Sequence, residues 1–340
     1  MKDGGVGSLA RPAPDFPPFR PLPPWFGGDL QTLRTTVREA FGRAPARLAG
    51  PSERLSFPMP DGSGDVLLGS LDRPSTATAG RPLAILIHGL TGDEDGAYMH
   101  ATATALLAAA LPVLRLNLRG AGASRPLCRG TYHAGRSEDL RAVVARLPSD
   151  LARDGVVLVG YSLGANMLLK FLGERDSAVP VRAAAAISAP IDLAATSRRF
   201  LARRNALYHR WLLDRMKAEA LATPDLEPAI AAAIPGLRST IDFEEVVIAP
   251  RKGFSDEADY HDRCSAVRHM GGIRCPTLVI HALDDPWIPA TVYTAFPWPE
   301  TPALVPLLPR SGGHLGFHDR GGAWHDRCLI RFLACRLPFG

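Results

Sequence analysis

The sequence is short of several features, and each shortage closes a class of function. No stretch reaches the roughly 20 predominantly apolar residues of a membrane-spanning helix. The longest apolar-rich run, "ATATALLAAALPVLRL", is broken by Pro112 and Arg115, so no transmembrane segment is expected. The opening "MKDGGVGSLARPAPDFPPF" lacks the apolar core of a secretory signal. The five cysteines, Cys128, Cys264, Cys275, Cys328 and Cys335, are odd in number and form no C-x-x-C pair. They read as free thiols in a reducing, cytoplasmic setting rather than as a zinc site. A net charge of +5 comes without any dense basic run, which excludes a nucleic-acid arm. No phosphate loop is present, and "RGAGAS" at 119–124 lacks the third glycine of a dinucleotide fingerprint. His314 and His318 stand four apart without the glutamate of H-E-x-x-H. Neither a cofactor nor a metal ion is expected.

What the 340 residues do contain is ordinary globular material, 46% hydrophobic and 21% charged. The first fifty are rich in proline and glycine and read as an arm, ending in an amphipathic segment, "DLQTLRTTVREAFG", that Asp29 could cap. "RLSFPMPDGSGDVLLGSL" reads as a hairpin around "DGSGD". From there, uninterrupted apolar strands ("PLAILIH", "PVLRLNL", "VVLVG", "VRAAAAIS", "PTLVIHAL", "ALVPLLP") alternate with helical segments. That pattern predicts an α/β fold with a mostly parallel sheet flanked by helices on both faces. Residues 190–272 break the alternation with helical segments only. They are expected to form a helical cap inserted into a core of residues 51–189 and 273–340. In "SRRFLARRNALYHRWLLDRMKAEAL" one helical face carries Leu201, Tyr208, Leu212 and Met216, beside Leu207 and Trp211. That face either packs on the core or lines a site for an acyl chain. The arginines of the same segment read as a solvated face, the alternative being a weak attraction to anionic lipid surfaces.

One serine stands out. In "VVLVGYSLGANMLLKFL", Ser162 sits between a buried strand and a helix, inside G-x-S-x-G. The glycines could serve only close packing, with the serine as a helix cap. The other reading is a nucleophile elbow, a strained turn that exposes Oγ. An elbow requires a base, an orienting carboxylate and an oxyanion hole, because a serine hydroxyl is a weak nucleophile at neutral pH. Its partners are expected in the order acid, then histidine. Asp284 and Asp285 follow a strand in "LDDPWIP", and His314 follows two glycines in "RSGGHLGFH" after the next strand. Asp285 is the expected acid, with Asp284 a near rival and Asp192 in "SAPIDL" a weaker one. The oxyanion donors are expected to be the amides of Leu163 and of Leu90 in "ILIHGLTG", where Gly89 and Thr91 compete with Leu90. His88 reads as a residue that orders this loop, not as a base.

These segments together resemble a known family. "HGLTG", "NLRGAG", "YHAGRSEDL", "GYSLGAN", "DFEEVVIAPRKGFSDEADYH", "ALDDPWIP" and "GGHLGF" occur in the order seen in the YheT-like, or AB-hydrolase-4, branch of α/β hydrolases. The likeness covers nearly the whole chain, including the proline-rich opening and "GGDLQTL". It departs at Tyr260-His261, where members of that branch often carry two tyrosines. The resemblance implies an α/β-hydrolase fold and a serine esterase or lipase-like enzyme with Ser162, Asp285 and His314 as its triad. A small ester, with or without a long acyl chain, is the implied substrate. Acyl transfer to an alcohol and cleavage of small amides use the same residues and remain alternatives, as does a non-catalytic binding protein on a hydrolase fold. Some eukaryotic members carry an N-terminal membrane anchor, which is not expected here. The sequence does not speak to oligomeric state.

Overall fold

The computed structural model describes residues 14–41, 47, 48, 50–75 and 80–337. The first thirteen residues of the proline-rich opening lie outside that set. Eight strands form one sheet: β1 (Glu53–Pro58), β2 (Val66–Asp72), β3 (Leu83–Ile87), β4 (Val113–Leu116), β5 (Val156–Tyr161), β6 (Val181–Ile187), β7 (Thr277–Ile280) and β8 (Leu304–Leu307). Their order is β1-β2-β4-β3-β5-β6-β7-β8. The β1–β2 hairpin is antiparallel and joins β4 antiparallel, while every pair from β4 to β8 is parallel. The fold is therefore the mostly parallel α/β sheet that the uninterrupted apolar runs predict.

Those runs lack alternation because both faces of the sheet are covered. In β3, Leu83, Ile85 and Ile87 enter one core, while Ala84 and Leu86 enter the other. The first core is closed by α3 (Ser137–Ala145) and α4 (Leu163–Glu174); the second by α2 (Ala97–Ala108) and α8 (Trp324–Arg336). A further helix, α1 (Gly28–Ala40), precedes the sheet. Because every parallel crossover runs the same way, the C-terminal ends of β3, β5, β7 and β8 open onto one edge.

Between β6 and β7 the described chain is helical, including α5 (Leu193–Phe200), α6 (Ala206–Leu221) and α7 (Glu257–Cys264). The apolar periodicity of residues 198–220 is split here, not carried by one helix. Asn205 is buried and donates from Nδ2 to the carbonyls of Arg199 (2.9 Å) and Pro286 (2.8 Å), which fixes a turn between α5 and α6. Leu212, Leu213 and Met216 then face a separate small core with Phe200 and Phe243. Leu207 is 86% exposed and Trp211 45% exposed, so these two leave the packed face.

Polar anchoring of the sheet depends on Arg119, which is 1% exposed. Its guanidinium grips Asp139 of α3 with two bonds (2.9 and 2.6 Å), Asp65 at 2.6 Å and Asp61 at 2.9 Å. Burial alone would lower its pKa, but the carboxylates outweigh burial and raise it. This links the β1–β2 turn to the loop after β4 and to the start of α3. Arg119→Met should therefore cost about 3–5 kcal/mol, because it strands buried carboxylates without their cation. Urea unfolding of the two proteins measures this, and a loss below about 1 kcal/mol would contradict it.

Candidate active site

Strand β5 lies at the centre of the sheet and all six of its residues are buried. The next residue, Ser162, has φ 49° and ψ −121°, a conformation rare for any residue with a Cβ. The strand ladder continues into this turn, since the Ser162 amide donates to Ile187 O at 2.9 Å. A Cβ at Gly160 would lie 2.7 Å from Ala165 Cα, and one at Gly164 would lie 2.2 Å from the His88 carbonyl oxygen. Only glycine fits on either side of so sharp a turn. The result is a hydroxyl lifted off the sheet edge at the start of α4.

His314 stands against this hydroxyl, its Nε2 3.0 Å from Ser162 Oγ. On the other side, its Nδ1 lies 2.9 Å from Asp285 Oδ2. With Nδ1–H donating to the carboxylate, Nε2 is left to accept the serine proton. Burial alone would raise the Asp285 pKa, but His314, His281 and the Trp287 amide (2.8 Å) hold it below the usual range, and the Ile288 amide donates to the same oxygen at 3.1 Å. The indole of Trp287 stacks on the His314 ring at 4.3 Å. Behind them His281 stacks on Tyr293 at 3.9 Å, and burial lowers its pKa to about 4 against the pull of Asp285. The rival acids have other work. Asp284 Oδ1 accepts the Gly313 amide at 2.9 Å, bracing the histidine loop, and Asp192 caps α5 through Ala195 N at 2.8 Å.

The loop after β3 passes close to Ser162: a Cβ at Gly89 would lie 3.1 Å from Ser162 Cβ. His88 is buried, donates from Nδ1 to Gly89 O (2.8 Å) and accepts the Leu118 amide on Nε2 (3.0 Å). Its neighbours have spent their amides. Gly89 N donates to Tyr98 Oη (3.0 Å) and Thr91 N to Tyr132 Oη (2.7 Å). The amides of Leu90 and Leu163 have no acceptor among the described residues. Leu163 also stands at the positive N-terminal end of α4.

Several residues at the site carry no signal of their role in the sequence. Thr32 of α1 accepts the His314 amide at 2.8 Å while donating to Gly28 O at 2.7 Å. Asp29, read as a helix cap, instead meets Arg204 (2.9 Å) and Tyr208 Oη (3.1 Å) across the cleft. Helix α1 is thus a wall of the site and not only an arm. A cavity of about 1060 Å³ opens over Ser162, lined by Leu33 from α1 and by Leu193, Phe200, Leu212, Met216 and Trp287. Periodicity marked Leu212 and Met216 as apolar; the contacts that make α1 a wall pair residues more than 170 positions apart.

One histidine–carboxylate cluster also borders the cavity. His261 Nε2 lies 2.9 Å from Glu244 Oε2, and its Nδ1 lies 2.7 Å from Glu257 Oε1. The Nε2 contact with Glu244 is a hydrogen bond, whereas Glu257 acts on the ring through its charge, and together they favour an imidazolium. Burial lowers the His261 pKa, but the two carboxylates outweigh it and raise the value above the ordinary one.

Comparison with known proteins gives a consistent picture. A family model described as the alpha/beta hydrolase family matches residues 84–326. The putative esterase YheT of Escherichia coli is 32% identical over 243 residues, 70% of this chain and 71% of that protein. A monoacylglycerol lipase of Saccharomyces cerevisiae is 28% identical over 269 residues, covering 74% of this chain and 59% of its own length. A medium-chain fatty acid ethyl ester synthase/esterase of the same yeast is 27% identical over 283 residues, covering 74% and 62%. The match thus spans about six-tenths of the two yeast relatives. Among solved structures, an esterase of Pyrococcus furiosus superposes with a TM-score of 0.59 at 18% identity, over 85% of this chain and 96% of that one. This last likeness concerns the fold.

The His261 cluster fixes a pH signature. Its folded pKa is raised above the unfolded value near 6.5, so its stabilisation is complete below that value and is lost as pH rises through the folded pKa. The difference in Tm between the wild type and His261→Gln should be largest near about pH 6 and shrink towards about pH 9. A difference that stays constant across that range would rule out the imidazolium.

Proposed function

Because the chain belongs to the YheT-like branch of the alpha/beta hydrolase family, we propose that it cleaves carboxylic esters through an acyl-enzyme on Ser162. An ester-cleaving enzyme is what the family and the relatives named esterase and lipase support. The observation that carries the residue-level reading is the unbroken relay Asp285–His314–Ser162, with both of its hydrogen bonds at 3.0 Å or less.

In this reading His314 takes the Ser162 proton as Oγ attacks the ester carbonyl, forming the C–O bond and placing the carbonyl electron pair on oxygen. The unspent amides of Leu163 and Leu90 face that charge. Asp285 keeps the proton on Nδ1 and stabilises the imidazolium. His314 then protonates the departing alkoxide, and the same steps, with water in place of serine, release the acid. The apolar lining of the cavity favours an acyl chain or another apolar group on the substrate. One relative is named for both synthesis and hydrolysis of esters. An alcohol that replaces water at the second step would give ester synthesis from the same intermediate. Cysteines 128, 264 and 328 are buried free thiols, which favours a reducing, cytoplasmic setting. No helix among the described residues is long and apolar enough to cross a membrane.

With p-nitrophenyl esters of increasing chain length, Ser162→Ala should lower kcat by about 10⁶. Asp285→Asn should lower it by about 10⁴. Asp284→Asn, which keeps an acceptor for the Gly313 amide, should stay within about tenfold of the wild type. Retention of most turnover by Ser162→Ala would sink the mechanism, and a reversed order of the two aspartate variants would reassign the acid.

A further inference from the structure

Thr91 is a β-branched residue with φ 55°, next to the Leu90 amide. A β-branched side chain rarely holds that conformation unless its surroundings enforce it. Here every polar atom of Thr91 is bound. Its amide donates to Tyr132 Oη at 2.7 Å. Its Oγ1 and its carbonyl oxygen each accept from Arg215, from Nε and Nη2, both at 3.1 Å. Tyr132 Oη in turn donates to Glu219 Oε2 at 3.0 Å, and Arg125 meets the other oxygen of Glu219 at 3.2 Å. Arg215 and Glu219 stand one turn apart on α6, on the same face. Trp211, a turn earlier, lies under the Arg215 guanidinium at 5.1 Å.

The geometry points to α6 as the element that assembles the oxyanion hole. Arg215 grips Thr91 directly, and Glu219 grips it through the Tyr132 hydroxyl. Together they hold the loop in the left-handed turn that leaves the Leu90 amide facing the nucleophile. Arg215, Glu219 and Tyr132 are positioning residues, since they act on the loop through Thr91. The bidentate grip explains why an arginine stands there, because its planar fork reaches two acceptors of one residue at once. It also gives the segment between β6 and β7 a role in catalysis. When α6 is seated, the hole is complete; when α6 is displaced, Thr91 relaxes and the Leu90 amide turns away. This inference rests on the acyl-enzyme reading of Ser162.

The test uses the whole chain, with Arg215→Gln as the main variant because Arg215 is exposed and its loss spares the core. Glu219→Gln is the second variant. Five quantities are measured: kcat and KM on p-nitrophenyl butyrate, Tm, the Ki of a matched trifluoromethyl ketone, and the Ki of the matched secondary alcohol. The ketone adds to the serine and needs the hole for its oxyanion, whereas the alcohol fills the cleft and forms none. Removing one such donor outright costs about 10²–10³ in kcat, so misplacing it in Arg215→Gln should cost about 10–100-fold. The ketone Ki should rise by the same factor, while KM, Tm and the alcohol Ki stay put, and added guanidinium should restore turnover to Arg215→Ala. If both variants keep wild-type kcat and ketone affinity, the proposal is overturned. It is equally overturned if ketone and alcohol affinity fall together, since that marks general damage to the cleft. A wild type in which a fluorophosphonate leaves Ser162 unlabelled would instead fell the acyl-enzyme reading, and this inference with it.

Discussion

The backbone turn at Ser162 is unfavourable by about 1–3 kcal/mol on its own, and the site exists because its neighbours leave that turn no alternative. Below it, β5 is fixed by pairing on both sides, and its ladder to β6 extends into the serine amide. Beside it, Gly160 and Gly164 accept contacts that any side chain would block. Above it, Gly89 lets the neighbouring loop pass within van der Waals distance of the hydroxyl. The strain is held by the most buried part of the sheet, where local relaxation would disturb the most packing. Every other distance in the site is set from that point.

Much of this was legible along the chain because it follows from local rules. Uninterrupted apolar strands imply a two-faced sheet, and G-x-S-x-G between a strand and a helix implies an elbow. Ser162, Asp285 and His314 follow β5, β7 and β8, parallel strands whose C-terminal ends share one edge. The choice among Gly89, Leu90 and Thr91 was not legible, because it turns on which amides meet Tyr98 and Tyr132. Asp284 and Asp285 are neighbours, and the D-x-x-I-P pattern that singles out Asp285 says nothing of the separate work of Asp284, which depends on where its carboxylate points. Nor could periodicity reveal the turn at Asn205, which depends on the distant Pro286 carbonyl. What the sequence conceals is pairing between residues far apart, and α1 is the fullest case. Its pattern gives a helix with an exposed polar face; its partners lie in the histidine loop and on α6.

The site also separates its polar and apolar work. Asp285, His314 and the two free amides lie along the sheet edge, each with its neighbours arranged to fix one proton position. The cleft above is built from Leu, Phe, Met and Trp side chains of α1, α5, α6 and the loop after β7. An apolar roof lowers the local dielectric, so the hydrogen bonds below act with less screening than they would in water. Roof and sheet edge are nonetheless tied at two points, where Thr32 of α1 accepts the His314 amide and Arg215 of α6 grips Thr91.

The contact between Thr32 and His314 has a consequence in time. The two residues are 282 positions apart, so the helix that braces the histidine leaves the ribosome long before its partner exists. At about 5–20 residues per second, α1 waits roughly 15–55 s for the loop it supports. During that interval Ser162 and its turn are already made, but His314 is missing and Thr32 has nothing to brace. The contact between Thr32 and the His314 amide therefore forms only late, when α1 meets a loop made long after it.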